Sequence, residues 1–518
     1  MPDLKLLDAD PTEAERGAID AVVGAEPEHS DRVVRSQPRR HLLLPALRAA
    51  QQRVGWVTPG ALGYASRRLE VPPADAYGVA TFYALLSLEE RPAEVLHACT
   101  DLACALKGAT VPEGAIASPC LGLCELAPAS MRTIAGEHPR EIQLPEERLP
   151  VHGDKLLRRI ATGEPYGELR ALARARELGP DRVIELVKAS PLLGRGGAAF
   201  PTGRKWEAVA RQPATPHYLV CNADESEPGT FKDRVIMEQD PFAVVEGMAI
   251  AMFATGCEKG FIYIRAEYPL AHERIRHAID ETGVDIELRI GAGAYVCGEE
   301  TALFQSIEGY RGEPRNKPPF PVEVGLYGKP TVVNNVETLI NVPHIVLGED
   351  ARDTRLFCVS GDVVRPGLYE LELGTPLTEL LETAGAEPPK AVLLGGAAGT
   401  FLGPHQLDIP LSFDAGVTLG SGVVMVFGRD ADLVSAVLRI AEFFRDESCG
   451  QCVPCRVGTA RQEEALHRLA SGRTNGNERA VLADLTQVMR DASICGLGQT
   501  AANAVASAIM NLGVLVPQ

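Results

Sequence analysis

This sequence has no long apolar run and is short of basic residues relative to acidic ones. No uninterrupted apolar stretch reaches the ~18 residues of a spanning helix, and Glu246 breaks the best candidate, residues 242–256. Lys and Arg number 51 against 69 Asp and Glu, a formal net charge of −18 with a pI near 5.2. That balance excludes general nucleic-acid binding, and equally attraction to an anionic membrane surface, since both need a basic face. Residues 1–24 lack a basic segment followed by an apolar one, so no signal peptide is expected. The protein is expected to be soluble and cytoplasmic. There is no internal repeat, no low-complexity tract and no Ser/His/Asp constellation. The 11 histidines show no zinc-hydrolase spacing, which leaves acid–base hydrolysis unsupported. What remains is ordinary globular composition, 45% hydrophobic and 23% charged, in a chain of 518 residues. At ~100–200 residues per domain this is roughly three or four domains.

Cysteine is the informative residue, with 12 copies. In a reducing cytosol these are ligands, reactive thiols or small buried hydrophobes rather than disulfides. Cys449, Cys452 and Cys455 stand at C-x2-C-x2-C, with Cys495 as a distant fourth. Three thiolates on a tight turn reach three corners of a cubane and a remote one closes it, as [4Fe–4S] ligation requires. The rival reading is structural zinc, which more often shows two separated knuckles. Cys99 and Cys104, then Cys120 and Cys124, form two pairs on two loops, suiting a [2Fe–2S] centre. Zinc, or a site that no longer holds metal, are the alternatives there. Cys221, Cys257, Cys297 and Cys358 are scattered; Cys257 and Cys358 read as buried hydrophobes.

Along the chain, residues 1–30 carry eight acids against the bases Lys5 and Arg16, and read as a solvated, partly helical tail. Leu42, Leu43, Leu44, Leu47 and Ala50 share a helical face, and further helices are expected near 60–70 and 74–86. A strand at 95–98 delivers the first cysteine pair, completing a small α+β domain that ends near 150. Residues 150–180 are polar and read as a connector. Strands at 217–222, 260–265 and 285–290 then alternate with helices at 234–254 and 269–281, implying a mostly parallel sheet. Short β runs around one helix mark 353–428 as a compact β-rich module, and the remainder is helical.

Between these elements lie three glycine-bearing motifs. Gly194-Arg195-Gly196-Gly197-Ala198-Ala199-Phe200, continuing to Lys205 and Trp206, can close backbone N–H groups on a phosphate. It follows a helical stretch rather than a strand, so it is not the dinucleotide fingerprint, and it lacks the Walker A ending. Asn222-Ala223-Asp224-Glu225-Ser226-Glu227-Pro228-Gly229 lies at a strand end, where open α/β sheets bind ligands. Residues 291–300 contain Tyr295, Gly298, Glu299 and Glu300 before a helix. An ordinary turn with an acidic helix start is the plainer reading. Tyr295 and Phe200 fit either a core or a ring-stacking role, and Asn334-Asn335 fits a helix cap.

With these residues together, the sequence resembles the NADH-binding FMN/[4Fe–4S] flavoproteins of respiratory complex I and their family. Its relatives are the diaphorase subunits of NAD-reducing hydrogenases and the β subunits of NAD-dependent formate dehydrogenases. The resemblance runs from about Gly179 onward through GRGGAAFPTGRKW, CNADESEPGTFKDR, GAGAYVCGEETAL, NKPPFP, PTVVNNVET, ESCGQCVPC and ICGLG. Residues 31–150, with FYALLSLE, CTDLAC and CLGLC, look like the thioredoxin-like [2Fe–2S] subunit of the same complexes, fused at the front. RGEPRNKPPFP and the short stretch before Gly291 look more like the formate dehydrogenase branch.

The resemblance implies an α/β multidomain chain. After the acidic tail (1–30) come a thioredoxin-like α+β domain (31–150), a connector (151–180) and a Rossmann-like FMN- and NADH-binding domain (181–340). A ubiquitin-like β-grasp module (341–428) and a C-terminal helical bundle (429–518) with the [4Fe–4S] cluster complete it. FMN is implied at Gly194, Arg195, Gly197, Lys205, Asn222, Asp224, Glu225, Gly298, Glu299, Asn334 and Asn335. NAD(H) is implied against Phe200, near Glu227, Tyr295, Glu300, Lys317 and Phe320. No protein nucleophile is expected, and Glu300 acts in support. The implied function is a diaphorase exchanging hydride between NAD(H) and FMN and passing electrons to partner subunits. A molybdopterin/iron–sulfur formate dehydrogenase α subunit is the foremost expected partner, with a separate [2Fe–2S] subunit beside it. Complex I or a hydrogenase is the alternative, and a cofactor-free or zinc-stabilised scaffold the alternative of another class. No nucleic acid and no membrane insertion are expected. The sequence departs from the family twice: the spacing between the N-terminal cysteine pairs is shortened, and Ala199 replaces a usual glycine, tolerable where φ is negative.

Overall fold

The computed structural model describes residues 9–24, 39–474 and 476–515. The remainder of the expected acidic tail lies outside the described residues. Within it, Glu13–Val23 is a helix, closed at its start by reciprocal hydrogen bonds between Thr12 and Glu15. Ile19 and Val23 are buried on one face against the helix Leu43–Val54, and Glu15 accepts from the Thr58 hydroxyl. This stretch is therefore packed rather than solvated.

The first sheet has the strand order Ile116–Ser118, Glu94–Cys99, Ser130–Ile134, Arg140–Leu144, with the first pair parallel and the rest antiparallel. Helices Leu43–Val54 and Pro59–Leu69 accompany it. The helix expected to 86 ends at Ala80. The first cysteine pair spans a strand end and a short helix, with Cys99 ending the strand and Cys104 inside the helix Leu102–Leu106, while Cys120 lies in a loop and Cys124 opens a short 3-10 turn.

The central sheet is fully parallel, ordered Ile286–Ile290, Cys257–Ile264, His217–Ala223, Thr331–Asn335. The chain steps outward through three strands and then returns to the other side of the first. Asn222 and Asn335 thus sit at the carboxyl ends of two strands flanking the switch point, where such sheets bind ligands. The single helix expected at 234–254 is two, Lys232–Gln239 and Pro241–Thr255. Pro241 has no N–H to continue the first and is favoured in the opening turn of the second. Glu246, buried in the second, accepts from the Tyr166 hydroxyl and from Leu172 N at 3.0 Å. Those donors come from the stretch expected as a connector, which also contributes the strand Val151–His152 to the third sheet.

The third sheet has six strands, ordered Thr400–Leu402, Ala391–Leu394, Val423–Phe427, Thr354–Gly361, Gly367–Glu372, Val151–His152. The strands at 391–394 and 400–402 are additions to the sequence reading. Helices Leu433–Asp446, Val453–Ala470, Glu478–Ala492 and Asn503–Leu512 close the molecule. Among the described residues no helix is long and apolar enough to cross a membrane.

The helix Pro241–Thr255 meets the helix Val336–Leu347 through Gly247, where any Cβ would collide with the Leu339 carbonyl. Gly247→Ala should therefore lower unfolding stability by about 2 kcal/mol, the scale of an overpacked core. Urea denaturation checks this; an unchanged midpoint contradicts the close approach.

Candidate functional site

A cavity of about 430 Å³ opens at the switch point. Its walls come from distant parts of the chain beyond residue 195: the Gly-rich loop (Gly196, Gly197), the end of the first parallel strand (Asn222 to Glu227), Tyr295 to Glu299, the β-rich module (Gly395, Gly420) and the helical end (Gly496, Leu497).

Of the residues expected from the sequence, Gly197, Asn222, Asp224, Glu225, Glu227, Tyr295, Gly298, Glu299 and Asn335 line this cavity. Lys205, Glu300, Lys317 and Phe200 stand at its edge as a linked group. Lys317 Nζ lies 2.7 Å from Glu299 and 3.6 Å from Glu300, and Lys205 Nζ is 3.6 Å from Glu300 and 5.9 Å from the centre of the Phe200 ring. Phe200 and Phe320 are each 52% exposed, which leaves both rings free to stack.

Three expected residues turn elsewhere. Gly194 N–H donates to the Phe200 carbonyl at 2.9 Å and closes the loop on itself. The Arg195 guanidinium is fully buried and donates to Asp353 at 2.5 Å and to the Thr354 carbonyl, tying the loop to the β-rich module. Asn334 accepts from the Trp206 indole at 2.8 Å, inside the core. Ala199 also departs from expectation. Its φ is +50°, because the Leu193–Pro201 bridge and the Gly194–Phe200 bond compress the turn between them. Asn335 caps the helix Val336–Leu347 and also donates to Asp233, so the cap reading and the site reading both hold.

The cavity floor is a set of buried charges. Lys232 Nζ contacts Asp233 at 2.6 Å, Asn335 Oδ1 at 3.1 Å and Glu337 at 3.2 Å. Glu225 accepts the backbone N–H groups of Asp233 and Arg234 at 2.8 and 3.0 Å. Burial raises the proton affinity of Glu225, Asp233 and Asp224. Asp224 Oδ2 has no protein partner although it faces the cavity, an acceptor left open for a donor on a ligand. Beside it, Glu227 Oε2 accepts from the Tyr295 hydroxyl at 2.6 Å and Oε1 from Ala398 N at 2.9 Å. Burial still pushes Glu227 up to about 7. Glu447, which spacing arguments did not single out, accepts from Tyr295 N at 2.8 Å.

Eight of the 12 cysteines form two groups. Cys449, Cys452, Cys455 and Cys495 face one another, and backbone N–H groups of Leu497 and Gly498 point at the Cys495 sulfur. A Cβ on Gly498 would press on Cys455 Cβ at 2.9 Å, so glycine permits this approach. Burial pushes the Cys455 and Cys495 thiols up to about 11, a cost that bound metal offsets. In the first domain, the Cys99 thiol neighbours those of Cys104 and Cys120, and Cys120 Sγ lies 3.4 Å from Cys124 Sγ. Three backbone N–H groups donate to this set: Gly122 to Cys120, Ala129 to Cys104 and Gly229 to Cys124, at 3.3 to 3.4 Å. Convergent thiols with backbone N–H groups aimed at sulfur suit iron–sulfur clusters. Among the described residues, no three His, Cys, Asp or Glu side chains gather closely enough for a single ion.

A cavity at the switch point together with two convergent thiol groups suits a flavin/iron–sulfur oxidoreductase, and the comparisons show that class to be NAD(H)-dependent. The family described as Nuo51 FMN-binding domain matches residues 187–344, and the NADH-ubiquinone oxidoreductase-F iron–sulfur binding region matches 435–513. A thioredoxin-like [2Fe–2S] ferredoxin family matches 31–113, and an SLBB domain 356–397. The F subunit of the NADH-quinone oxidoreductase of Aquifex aeolicus is 44% identical over 365 residues, covering 65% of this chain and 85% of that protein. The HndC subunit of the NADP-reducing hydrogenase of Solidesulfovibrio fructosivorans is 41% identical over 370 residues, covering 65% and 75%. A chain in the crystal structure of an NAD⁺-reducing [NiFe]-hydrogenase in the H2-reduced state superposes with a TM-score of 0.81 at 33% identity. That match covers 92% of this chain and 93% of the other. The chain belongs to the family of NADH-binding flavoprotein subunits of complex I and NAD-reducing hydrogenases.

Two outcomes follow from the geometry. Glu227 binds its proton more tightly when folded, so it stabilises the cofactor-free fold below about 4.5, its ordinary value, and that contribution is lost as pH rises through about 7. The Tyr295 hydroxyl and the backbone N–H groups of Ala398 and Ala397 oppose the shift, while the Asp101 carboxylate adds to it. Glu227→Gln should therefore flatten the loss of urea stability between those pH values; an unaltered profile refutes the assignment. Ala199→Gly relieves a left-handed backbone and should raise stability by about 1 kcal/mol in the same assay.

Proposed function

We propose that this chain is the diaphorase subunit of a multi-subunit dehydrogenase. It exchanges hydride between NAD(H) and FMN and delivers single electrons through Cys449, Cys452, Cys455 and Cys495 to a partner. One observation carries the reading. Gly496 and Leu497, which follow Cys495 directly, stand in the cavity wall, and Thr230 of that wall follows Gly229, whose N–H reaches Cys124 Sγ at 3.3 Å. FMN, when bound, supplies the conversion between two-electron and one-electron transfer that a nicotinamide and an iron–sulfur cluster each lack.

The protein's part is binding, orientation and charge. Gly197 lets the loop backbone approach a phosphate, and Lys205 supplies a cation at the same edge. Asn222, whose side chain donates to the Gly298 carbonyl at 2.8 Å, holds the two glycine-bearing turns together. Asp224 and Glu225 accept from the flavin side. Glu299 and Glu300 accept ribose hydroxyls, releasing Lys317 for the nucleotide phosphates, and Phe200 and Phe320 stack on its rings. Tyr295 holds a proton against Glu227 Oε2. Cys99, Cys104, Cys120 and Cys124 hold a [2Fe–2S] cluster.

The domains divide near 150, 180, 340 and 428, with a β-grasp module between the nucleotide domain and the helical bundle, and the enzyme works in the cytoplasm. RGEPRNKPPFP favours the β subunit of an NAD-dependent formate dehydrogenase, partnered by a molybdopterin subunit. The hydrogenase diaphorase is the second reading, favoured by the near full-length structural match. Partner docking falls near the [4Fe–4S] cysteines, where Val453 is 59% and Val457 44% exposed one turn apart.

Glu300→Gln should weaken NADH binding at least tenfold and slow NADH-driven dye reduction while FMN content stays level. Unchanged affinity and turnover would remove Glu300 from the site. Co-purification followed by Mo, W and Ni analysis separates the two enzyme readings, with molybdenum or tungsten expected and nickel favouring the hydrogenase.

A further inference from the structure

The N-terminal cysteine site is not self-contained. Its second half, residues 120–125, is held largely by side chains of the nucleotide-binding domain, alongside Gln143 of its own domain, which donates to the Leu121 carbonyl at 2.9 Å. Arg265 donates to the Cys120 carbonyl at 2.5 Å, and Arg234 donates to the Gly122 carbonyl at 2.9 Å and to the Glu125 carboxylate. Tyr268 presses against Gly122 so closely that any Cβ there would collide with its ring, and Gly122 has φ +68°. Gly229, next to Thr230 of the cavity wall, donates its N–H to Cys124 Sγ. Arg234, Arg265 and Tyr268 are all fully or almost fully buried.

Each of these cations stands against buried carboxylates. Arg265 lies 2.7 Å from Glu267, and Arg234 lies 3.0 Å from Glu238 as well as against Glu125. Removal of either guanidinium therefore leaves buried carboxylates uncompensated beside the sulfurs in a region of low dielectric.

We propose that Arg234 and Arg265 are positioning residues that fix the 120–125 loop and set the reduction potential of the cluster held by Cys99, Cys104, Cys120 and Cys124. This rests on the reading of those cysteines as a [2Fe–2S] site. The half-reaction concerned takes up one electron, converting a diferric cluster to a mixed ferric–ferrous one, with dithionite as the electron source and no proton required. The reduced cluster is the more negative, so both guanidiniums favour it. The amide of Gly229 acts in the same direction, because a hydrogen bond to a ligating sulfur stabilises the electron-rich state. The shortened spacing between the cysteine pairs fits this arrangement. A loop stabilised from outside its own domain needs less chain of its own to hold its shape.

The test is an EPR-monitored dithionite titration of the full chain, purified anaerobically, as wild type, Arg265→Lys, Arg265→Gln and Arg234→Gln. Iron, sulfide and FMN are measured in parallel. Both glutamine variants should lower the equilibrium constant for one-electron reduction of the [2Fe–2S] signal at least tenfold, about 59 mV for one electron. Arg265→Lys should restore part of it, and the [4Fe–4S] potential and FMN content should stay as in wild type. A two-cluster wild type whose [2Fe–2S] potential ignores both glutamine variants overturns this inference alone. Equal shifts at both clusters also overturn it, since they indicate a general disturbance of the fold. A wild type containing only the [4Fe–4S] cluster overturns the reading of the N-terminal cysteines, and this inference with it.

Discussion

The packing of four buried ionisable side chains against one another is the constraint on which the site depends. Lys232, Asp233, Glu225 and Glu337 are each at most 5% exposed, and each is stable only while the others stay in place. Lys232 links Asp233 to Glu337. Glu225 meets the first N–H groups of the helix Lys232–Gln239, where the helix dipole favours an anion. From this knot three structures are positioned. Glu337 accepts Leu356 N at 3.0 Å and so anchors the six-stranded sheet. Asn335, bonded to Lys232 and Asp233, starts the helix Val336–Leu347. The helix beginning at Lys232 carries Arg234 to the N-terminal cysteine loop. Cavity floor, β-rich module and first domain therefore share one electrostatic anchor.

The chemistry of the cavity follows from the same economy of charge. Asp224, Glu225, Glu227, Asp233 and Glu299 all face it, with Lys232 as the cation at the floor and Lys205 and Lys317 at the edge. Acceptors in the interior suit the hydroxyl and N–H groups of a flavin or ribose, while cations at the margin suit phosphates. Burial keeps several of these acids protonated more readily than in water, which limits repulsion between them before a ligand arrives.

Signals carried by contiguous residues were legible in the sequence. The C-x2-C-x2-C run, the glycine-bearing turns and the alternation of strands and helices are local patterns, and their elements and thiol groupings appear close to where they were expected. What escaped reading depends on distant contacts. Gly395, Gly420 and Leu497 wall the cavity only because the β-rich module and the helical end fold back over it. Arg195 reads as a phosphate ligand by its neighbours, yet Asp353 lies within reach and takes it into the core. The positive φ of Ala199 arises from a bridge between Leu193 and Pro201 that no residue in the loop announces. The partly helical character of the acidic tail was legible, but its packing was not, because acids dominate the composition of residues 13–23 while the buried face rests on Ile19 and Val23.

The most direct test of the central claim, that one flavin cavity serves two iron–sulfur sites, is EPR of the anaerobically purified chain before and after stoichiometric NADH. The account requires visible absorbance from flavin and clusters, and NADH-dependent appearance of signals at two distinct sites. A colourless, zinc-containing protein, or flavin bleaching with no cluster signal at all, would contradict it.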